Sequence, residues 1–307
     1  MTENLRGIAL MVAAMAAFAI EDMLIKKMGA ALPPGQILLF LGLGGSAGFA
    51  LMAAYRRERV VSPAFLTRTV MLRNLGEILG TVGFVTAIVL TPLSSASAIL
   101  QAMPLAVTLG AALFLGEPVG WRRWSAIGVG FLGVLLIIRP GLQGFEPASL
   151  FAVLGVAGLA LRDLATRAVP RDVSTLVLSA WGFAMLVPTG AALLALSGGA
   201  TVPQASAMGQ MALAIAFGIA GYYAITQAMR AGDIAVVTPF RYSRLLFALI
   251  IGIWVFGERP DAMTYAGAAL VIGSGLYTLL REARLGRRRG ALTAAPETVG
   301  RQPRPPR

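Results

Sequence analysis

The sequence predicts an all-α integral membrane protein whose ten transmembrane helices form two inverted five-helix repeats. Three observations carry this. Apolar residues fill 57% of the 307 positions and charged residues only 13%, where soluble domains carry about 25% charged residues. The mean hydropathy is +0.76. Ten apolar stretches follow one another, each near the roughly 20 residues that cross about 30 Å of hydrocarbon. A shift of 141 positions lays the first five stretches on the second five. Five is odd, so the second copy runs upside down relative to the first, as in inverted-repeat membrane folds.

The first helix is predicted at 7–28 as one apolar run without a small-residue cleavage site, and it reads as a retained helix rather than a signal peptide. Pro33-Pro34 separates it from the second, 34–55, which ends at the basic run Arg56, Arg57 and Arg59. The third, 70–91, stops at Pro92, and the fourth, 94–115, stops at Glu117-Pro118. The fifth, 121–139, begins with the interfacial anchors Trp121 and Trp124 and ends at Pro140-Gly141. The second half follows as 147–168, 173–197 (ended by Gly198-Gly199), 207–230, 234–256 (ended by Arg259-Pro260) and 262–281. Glycines three to five apart, such as Gly42, Gly45 and Gly48, mark helix-packing surfaces. The repeats divide as 1–141 and 142–285, and the Arg-, Pro- and Ala-rich tail 286–307 is predicted to be disordered.

The net charge of +12 does not mark a nucleic-acid surface, because there is no soluble domain to carry one. Six arginines sit in the last 21 residues, and most others fall in loops on one side. With the N-terminus inside, that side holds Arg6, Arg56, Arg57, Arg59, Arg68, Arg122, Arg123, Arg167, Arg171 and Arg230. The other side holds only Lys26, Lys27, Arg139 and Arg259. The positive-inside rule then puts both termini in the cytoplasm of a bacterial inner membrane. The chain has no Cys and no His, which removes thiol and imidazole catalysis, disulfides and the commonest metal ligands. No convincing Ser–Lys pair and no phosphate-cradling loop is present, so neither an intramembrane hydrolase nor direct ATP drive is expected. No cofactor or metal is expected either.

Eight ionisable residues fall within the predicted spans: Glu21, Asp22, Arg73, Glu77, Arg162, Asp163, Arg241 and Arg244. Each would cost about 2.5–3.5 kcal/mol at the centre of a lipid-facing helix. They must therefore face one another or a wet cavity. Arg73 and Glu77, four apart, share a helix face and can pair, and so can Asp22 and Lys26. Arg162 and Asp163 are adjacent and point apart, so each wants a partner from another helix. Arg241 and Arg244, with Tyr242 and Ser243 beside them, form the densest polar patch. Two readings of that patch are open: a structural charge network, or a guanidinium pair that receives a carboxylate, phosphate or polar ring substituent. Gln101 needs a partner in hydrocarbon and faces inward; Trp181 and Tyr222 are further cavity candidates. Glu21 and Glu77 are candidates for a buried acid that carries a proton, with the proton as the coupling ion considered.

Under the shift of 141, Gly80 meets Gly221, Gln101 meets Tyr242, and Gly116-Glu117 meets Gly257-Glu258. The motifs Leu115-Gly116-Glu117-Pro118 and Phe256-Gly257-Glu258-Arg259-Pro260, each closing the fourth helix of its half, resemble the EamA-type members of the drug/metabolite transporter superfamily. The resemblance covers about residues 5–285. Pro104 fits the family's proline in that helix, whereas the second half has Leu245 there and its proline earlier, at Pro239. Glu21-Asp22 with Lys26, and the segment Pro239 to Arg244, resemble a subgroup that includes riboflavin and S-adenosylmethionine carriers. The resemblance implies an inner-membrane secondary transporter that moves a small polar or aromatic organic metabolite by alternating access, as a monomer or weak homodimer. The alternative is a lipid or lipid-linked-sugar flippase of the same fold. Arg241, Arg244, Tyr242, Ser243, Tyr222, Gln101 and Trp181 are the candidate substrate-binding residues.

The charge distribution makes one direct prediction. A reporter fused after Arg284 should read cytoplasmic, and one in the 198–202 loop should read external. The reverse pattern would overturn the inverted orientation of the two halves.

Overall fold

The structure, a computed structural model, describes residues 3–117, 119–142, 145–170, 172–231 and 234–293. Among them are ten helical spans long and apolar enough to cross a membrane. The first half holds α1 (Glu3–Met28), α2 (Pro34–Tyr55), α3 (Arg68–Leu90), α4 (Leu93–Leu100), α5 (Met103–Phe114) and α6 (Trp121–Ile138). The second holds α7 (Ser149–Arg167), α8 (Thr175–Leu196), α9 (Ala205–Ala231), α10 (Ile234–Val237), α11 (Ser243–Phe256) and α12 (Ala262–Thr293). Helix ends fall within a few residues of those the breakers predicted, except at the C-terminus. There α12 runs on to Thr293, past Gly286 where disorder was expected; residues 294–307 lie outside the described residues.

The repeated Gly-Glu has a local cause. Gly116 and Gly257 take left-handed conformations, with φ of 66° and 65°, which a residue without Cβ adopts at little strain. The following amide then folds back on the helix end: Glu117 N–H donates to the Ala111 carbonyl at 3.2 Å and Glu258 N–H to the Gly252 carbonyl at 2.9 Å. At the start of α12, Asp261 accepts from the Thr264 amide at 2.9 Å and pairs with Arg139. These bonds hold the Asp261 carboxyl well below the usual carboxylate range.

Both fourth helices are broken, and at equivalent places. In the first half a turn at Gln101–Ala102 separates α4 from α5, with Pro104 in the first turn of α5. In the second half a 3₁₀ turn, Thr238–Tyr242, joins α10 to α11 and contains Pro239. A proline supplies no N–H and disturbs the preceding turn. The two prolines are not equivalent under the shift of 141, yet Gln101 and Tyr242 are, and the breaks meet there. The Gln101 Nε2 donates to the Tyr242 carbonyl at 3.1 Å.

The two halves interlock. The most extensive interfaces join α3 to α7, α2 to α8, α1 to α9 and α6 to α12. Exchanging the halves turns this set into itself, because spans two and five pack on their own counterparts and spans one and three pack crosswise. Small residues make it possible: a Cβ added to Gly83 would meet the backbone of Phe151 and Gly155 at 2.5–3.0 Å, so α3 and α7 touch backbone to backbone.

Candidate functional site

On the face away from the termini one carboxylate, Glu258, joins the ends of several helices. Glu258 accepts from the Leu93 amide at 2.6 Å, the Ser94 amide at 3.0 Å and the Ser94 hydroxyl at 2.6 Å. It thereby caps the start of α4, where unpaired amides and the helix dipole favour an anion. Gly252 leaves the space its side chain occupies, since a Cβ there would sit 2.5 Å from Oε2. Lys26 lies 3.9 Å from the same carboxylate and donates to the carbonyls of Ile88 at 3.1 Å and Thr91 at 2.5 Å. Lys26 therefore ties the end of α1 to the end of α3. The local Asp22–Lys26 pair expected from their spacing is absent, because the backbone carbonyls and Glu258 offer Lys26 closer partners.

Two adjoining chambers lie between the halves. One, of about 420 Å³, lies toward the face that bears the termini, lined by Gln101, Pro104, Arg167, Tyr242 and Thr278 among others. The second, of about 380 Å³, is lined by Glu21, Glu77, Thr81, Phe49 and Tyr222 among others. Phe18, Asp163, Arg241 and Arg244 line both and form the junction.

All eight intramembrane ionisable residues gather at these chambers. Asp22 is bound by Arg244 through a two-pronged contact, Nη2 to Oδ1 at 2.8 Å and Nε to Oδ2 at 3.1 Å. The Arg244 guanidinium lies 5.3 Å from the Phe18 ring and 5.2 Å from the Phe84 ring, so the cation rests against two aromatic faces. Arg73 and Glu77 pair at 2.8 Å as their spacing predicted. Glu77 also receives Arg162 at 3.5 Å and Thr81 at 3.4 Å. Arg162 then reaches its sequence neighbour after all: its Nε donates to Asp163 Oδ1 at 2.9 Å. A long guanidinium arm can bend back around the helix, which corrects the expectation that the two point apart. Glu21 and Arg241 remain, and among the described residues neither has an ion pair or hydrogen bond. Glu21 rests over Gly218 of α9, where a Cβ would sit 2.6 Å from Oε1.

The remaining candidates divide. Gln101 and Tyr242 are buried at the crossing of the two broken helices, and both line the first chamber. Tyr222 lines the second chamber, donates to the Thr175 carbonyl at 3.2 Å and packs edge-on against Phe49. Trp181 is not a cavity residue. Its indole N–H donates to the Val60 carbonyl at 2.8 Å and its ring meets Phe65, so it anchors the loop between α2 and α3. Ser243 lines neither chamber and its hydroxyl closes the 3₁₀ turn onto the Phe240 carbonyl at 2.7 Å. Sequence reasoning missed Phe84, Thr81 and Gly218, since ordinary apolar, hydroxyl and glycine residues on a span announce nothing until a charge from another helix lands beside them.

Ten spans in two interlocked inverted halves, around a polar cavity with broken helices at its centre, define a membrane transporter. The model of the EamA-like transporter family matches the chain twice, over residues 5–139 and 147–280. The chain belongs to that family and is a multi-pass protein of the bacterial inner membrane. It is 31% identical over 219 residues to a riboflavin transporter of Rhizobium johnstonii, covering 71% of this chain and 70% of that one. It is 24% identical over 283 residues to an S-adenosylmethionine uptake transporter of Rickettsia prowazekii, covering 91% and 94%. A pseudopaline exporter of Pseudomonas aeruginosa is 28% identical over 281 residues, covering 87% and 93%. A crystal structure of a protein 20% identical matches with a TM-score of 0.57, over 87% of this chain and 96% of the other, which speaks for the fold alone.

The Asp22–Arg244 pair yields a stability prediction. Asp22→Asn strands a guanidinium beside two aromatic rings, and removing one partner of a buried pair costs about 3–5 kcal/mol. The purified variant should melt well below the wild type, and Arg244→Met added to it should recover much of the loss. Equal melting of Asp22→Asn and wild type would show that the pair does not hold α1 to α11.

Proposed function

We propose that this protein is a secondary transporter that moves a small polar or aromatic organic metabolite by alternating access, with the two chambers as its central site and both termini in the cytoplasm. One observation carries the reading: the cavity sits where equivalent residues of the two halves, Gln101 and Tyr242, touch across the broken fourth and ninth spans. A site on the internal symmetry axis can be exposed to either side by exchanging the conformations of the halves. Relatives named for riboflavin, S-adenosylmethionine and pseudopaline support an organic metabolite as the cargo. Arg241 is the binding arginine. Arg244 is occupied by Asp22 and positions the wall beside it. Tyr222 and Phe18 supply ring surface, and Gln101 and Tyr242 hold the helix break open toward the chamber.

Proton coupling falls to Glu21 in this reading. Glu77 is held by Arg73 and Arg162, so protonating it breaks two ion pairs. Glu21 faces the chamber with Asp22 beside it, Gly218 behind it and the nearest guanidinium, Arg244, engaged elsewhere. It can gain a proton without disrupting a pair.

Both assignments are tested in proteoliposomes with labelled riboflavin, S-adenosylmethionine and amino acids as trial solutes. Arg241→Lys keeps the charge but loses the planar fork; transport should fall by about tenfold or more at normal expression, and unchanged transport would remove Arg241 from the site. An imposed pH gradient should drive accumulation by the wild type. Glu21→Gln, at solute concentrations high enough to offset weaker binding, should still exchange labelled for unlabelled solute while ignoring the gradient. A wild type indifferent to the gradient would end the proton assignment.

A further inference from the structure

The charges that line the cavity do not all cancel one another, and the remainder describes the ligand. Six of the eight are consumed: Asp22 by Arg244, Glu77 by Arg73 and Arg162, and Asp163 by Arg162. One carboxylate, Glu21, and one guanidinium, Arg241, are left without hydrogen-bond or ion-pair partners among the described residues, and both line the second chamber. They do not pair with each other either. Phe18 and Arg244 lie with Arg241 at the junction of the two chambers, whereas Glu21 lines the second chamber alone.

We propose that the transported molecule is a zwitterion, with its anionic group, a carboxylate or its equivalent, on Arg241 and its cationic group, an ammonium or other onium centre, on Glu21. This deepens the transport reading and rests on it. A planar guanidinium with free N–H groups suits a carboxylate. A monoanion would satisfy Arg241 but would need a proton to stay on Glu21, so the coupling ion could not be exchanged for substrate there; a monocation would leave Arg241 uncompensated. A neutral solute would leave both. A molecule with both charges completes the cavity without a proton held on Glu21, and a polar site built for two charged groups rejects analogues that lack one of them. The Phe18 ring in the wall of the same chamber offers apolar surface to the body of the molecule, and Gly218, having no side chain, leaves room for the Glu21 carboxylate against α9. Proton and substrate cation then occupy Glu21 in turn.

The test separates charge from shape. The purified protein in detergent is screened for thermal stabilisation, and in proteoliposomes for uptake, with the twenty protein amino acids, S-adenosylmethionine and uncharged riboflavin, and, for amino acids with uncharged side chains, with the N-acetyl form (anion alone) and the amide (cation alone). Zwitterions should dominate among the solutes that stabilise and enter, and either derivative of the best one should bind about tenfold or more weakly. Glu21→Gln should erase the advantage of the parent over its N-acetyl form, and Arg241→Gln the advantage over its amide. A merely structural role would weaken all three compounds alike. If the derivatives bind as tightly as the parent, if Glu21→Gln weakens all three equally, or if the solutes that enter carry a single charge or none, the zwitterion proposal is wrong while transport stands. Absence of flux for every solute tested would instead overturn the transport reading.

Discussion

Hydrocarbon offers no water to a charged side chain, and most of what is specific about this molecule follows from that constraint. Backbone polar groups are satisfied inside helices, so the ten spans need little explanation beyond length and apolarity. Ionic side chains have no such internal solution. They must be brought to one place, where opposite charges and a wet cavity can receive them. The helix packing serves this gathering. Glycine-lined contacts such as that between α3 and α7 bring backbones together, and Gly182 on α8 leaves space that the Arg73 guanidinium fills. The resulting ion pairs span α1, α3, α7 and the ninth span, four of the elements that meet at the chambers.

The sequence revealed what is local and periodic. The spans, their breakers, the duplication and the Arg73–Glu77 pair all lie within one helix or one shift of 141, and the structure has them there. It did not reveal partners across helices. Asp22 has Lys26 four residues away, an ordinary helical spacing, but its partner is Arg244, 222 positions on, because the fold lays α11 against α1. Trp181 reads as an aromatic on a span and so as a cavity wall; its helix face turns instead to the loop that carries Val60 and Phe65. Ser243, inside the densest polar patch, satisfies itself on the turn that creates the patch. For the same reason the two charges that remain unpaired, Glu21 and Arg241, could not be singled out from composition: being left over is a property of the whole network.

The misplaced proline of the second half also has a physical resolution. Pro104 and Pro239 occupy different positions in their repeats, yet both interrupt the helix close to the Gln101 and Tyr242 positions. A break in a span is tolerated where the freed backbone groups are enclosed by protein or line a cavity. The Tyr242 carbonyl, at the end of the 3₁₀ turn, accepts from the Gln101 amide. The first repeat thus hydrogen-bonds to the second at its break, and the point of contact lies on the axis that relates them.

That axis makes the two ends of the cavity equivalent in architecture, but their side chains are not equivalent. Glu258 and Glu117 correspond under the repeat and follow the same left-handed glycine. Glu258 is 9% exposed and caps α4, whereas Glu117 is 48% exposed and pairs with Arg167 at 3.1 Å near the terminal face. The sequence builds this difference in. Where Glu258 has the recess of Gly252 and the hydroxyl of Ser94, the matching positions for Glu117 hold Ala111 and Ala235. Hydrogen bonds to a charged group are each worth about 1.5–3 kcal/mol, and a difference of about 1.4 kcal/mol already shifts a two-state population tenfold. In the alternating-access reading, the conformation closed at the Glu258 face is thus favoured by its own seam. The substrate and the coupling ion must supply, through contacts at the central charges, the free energy that opens it.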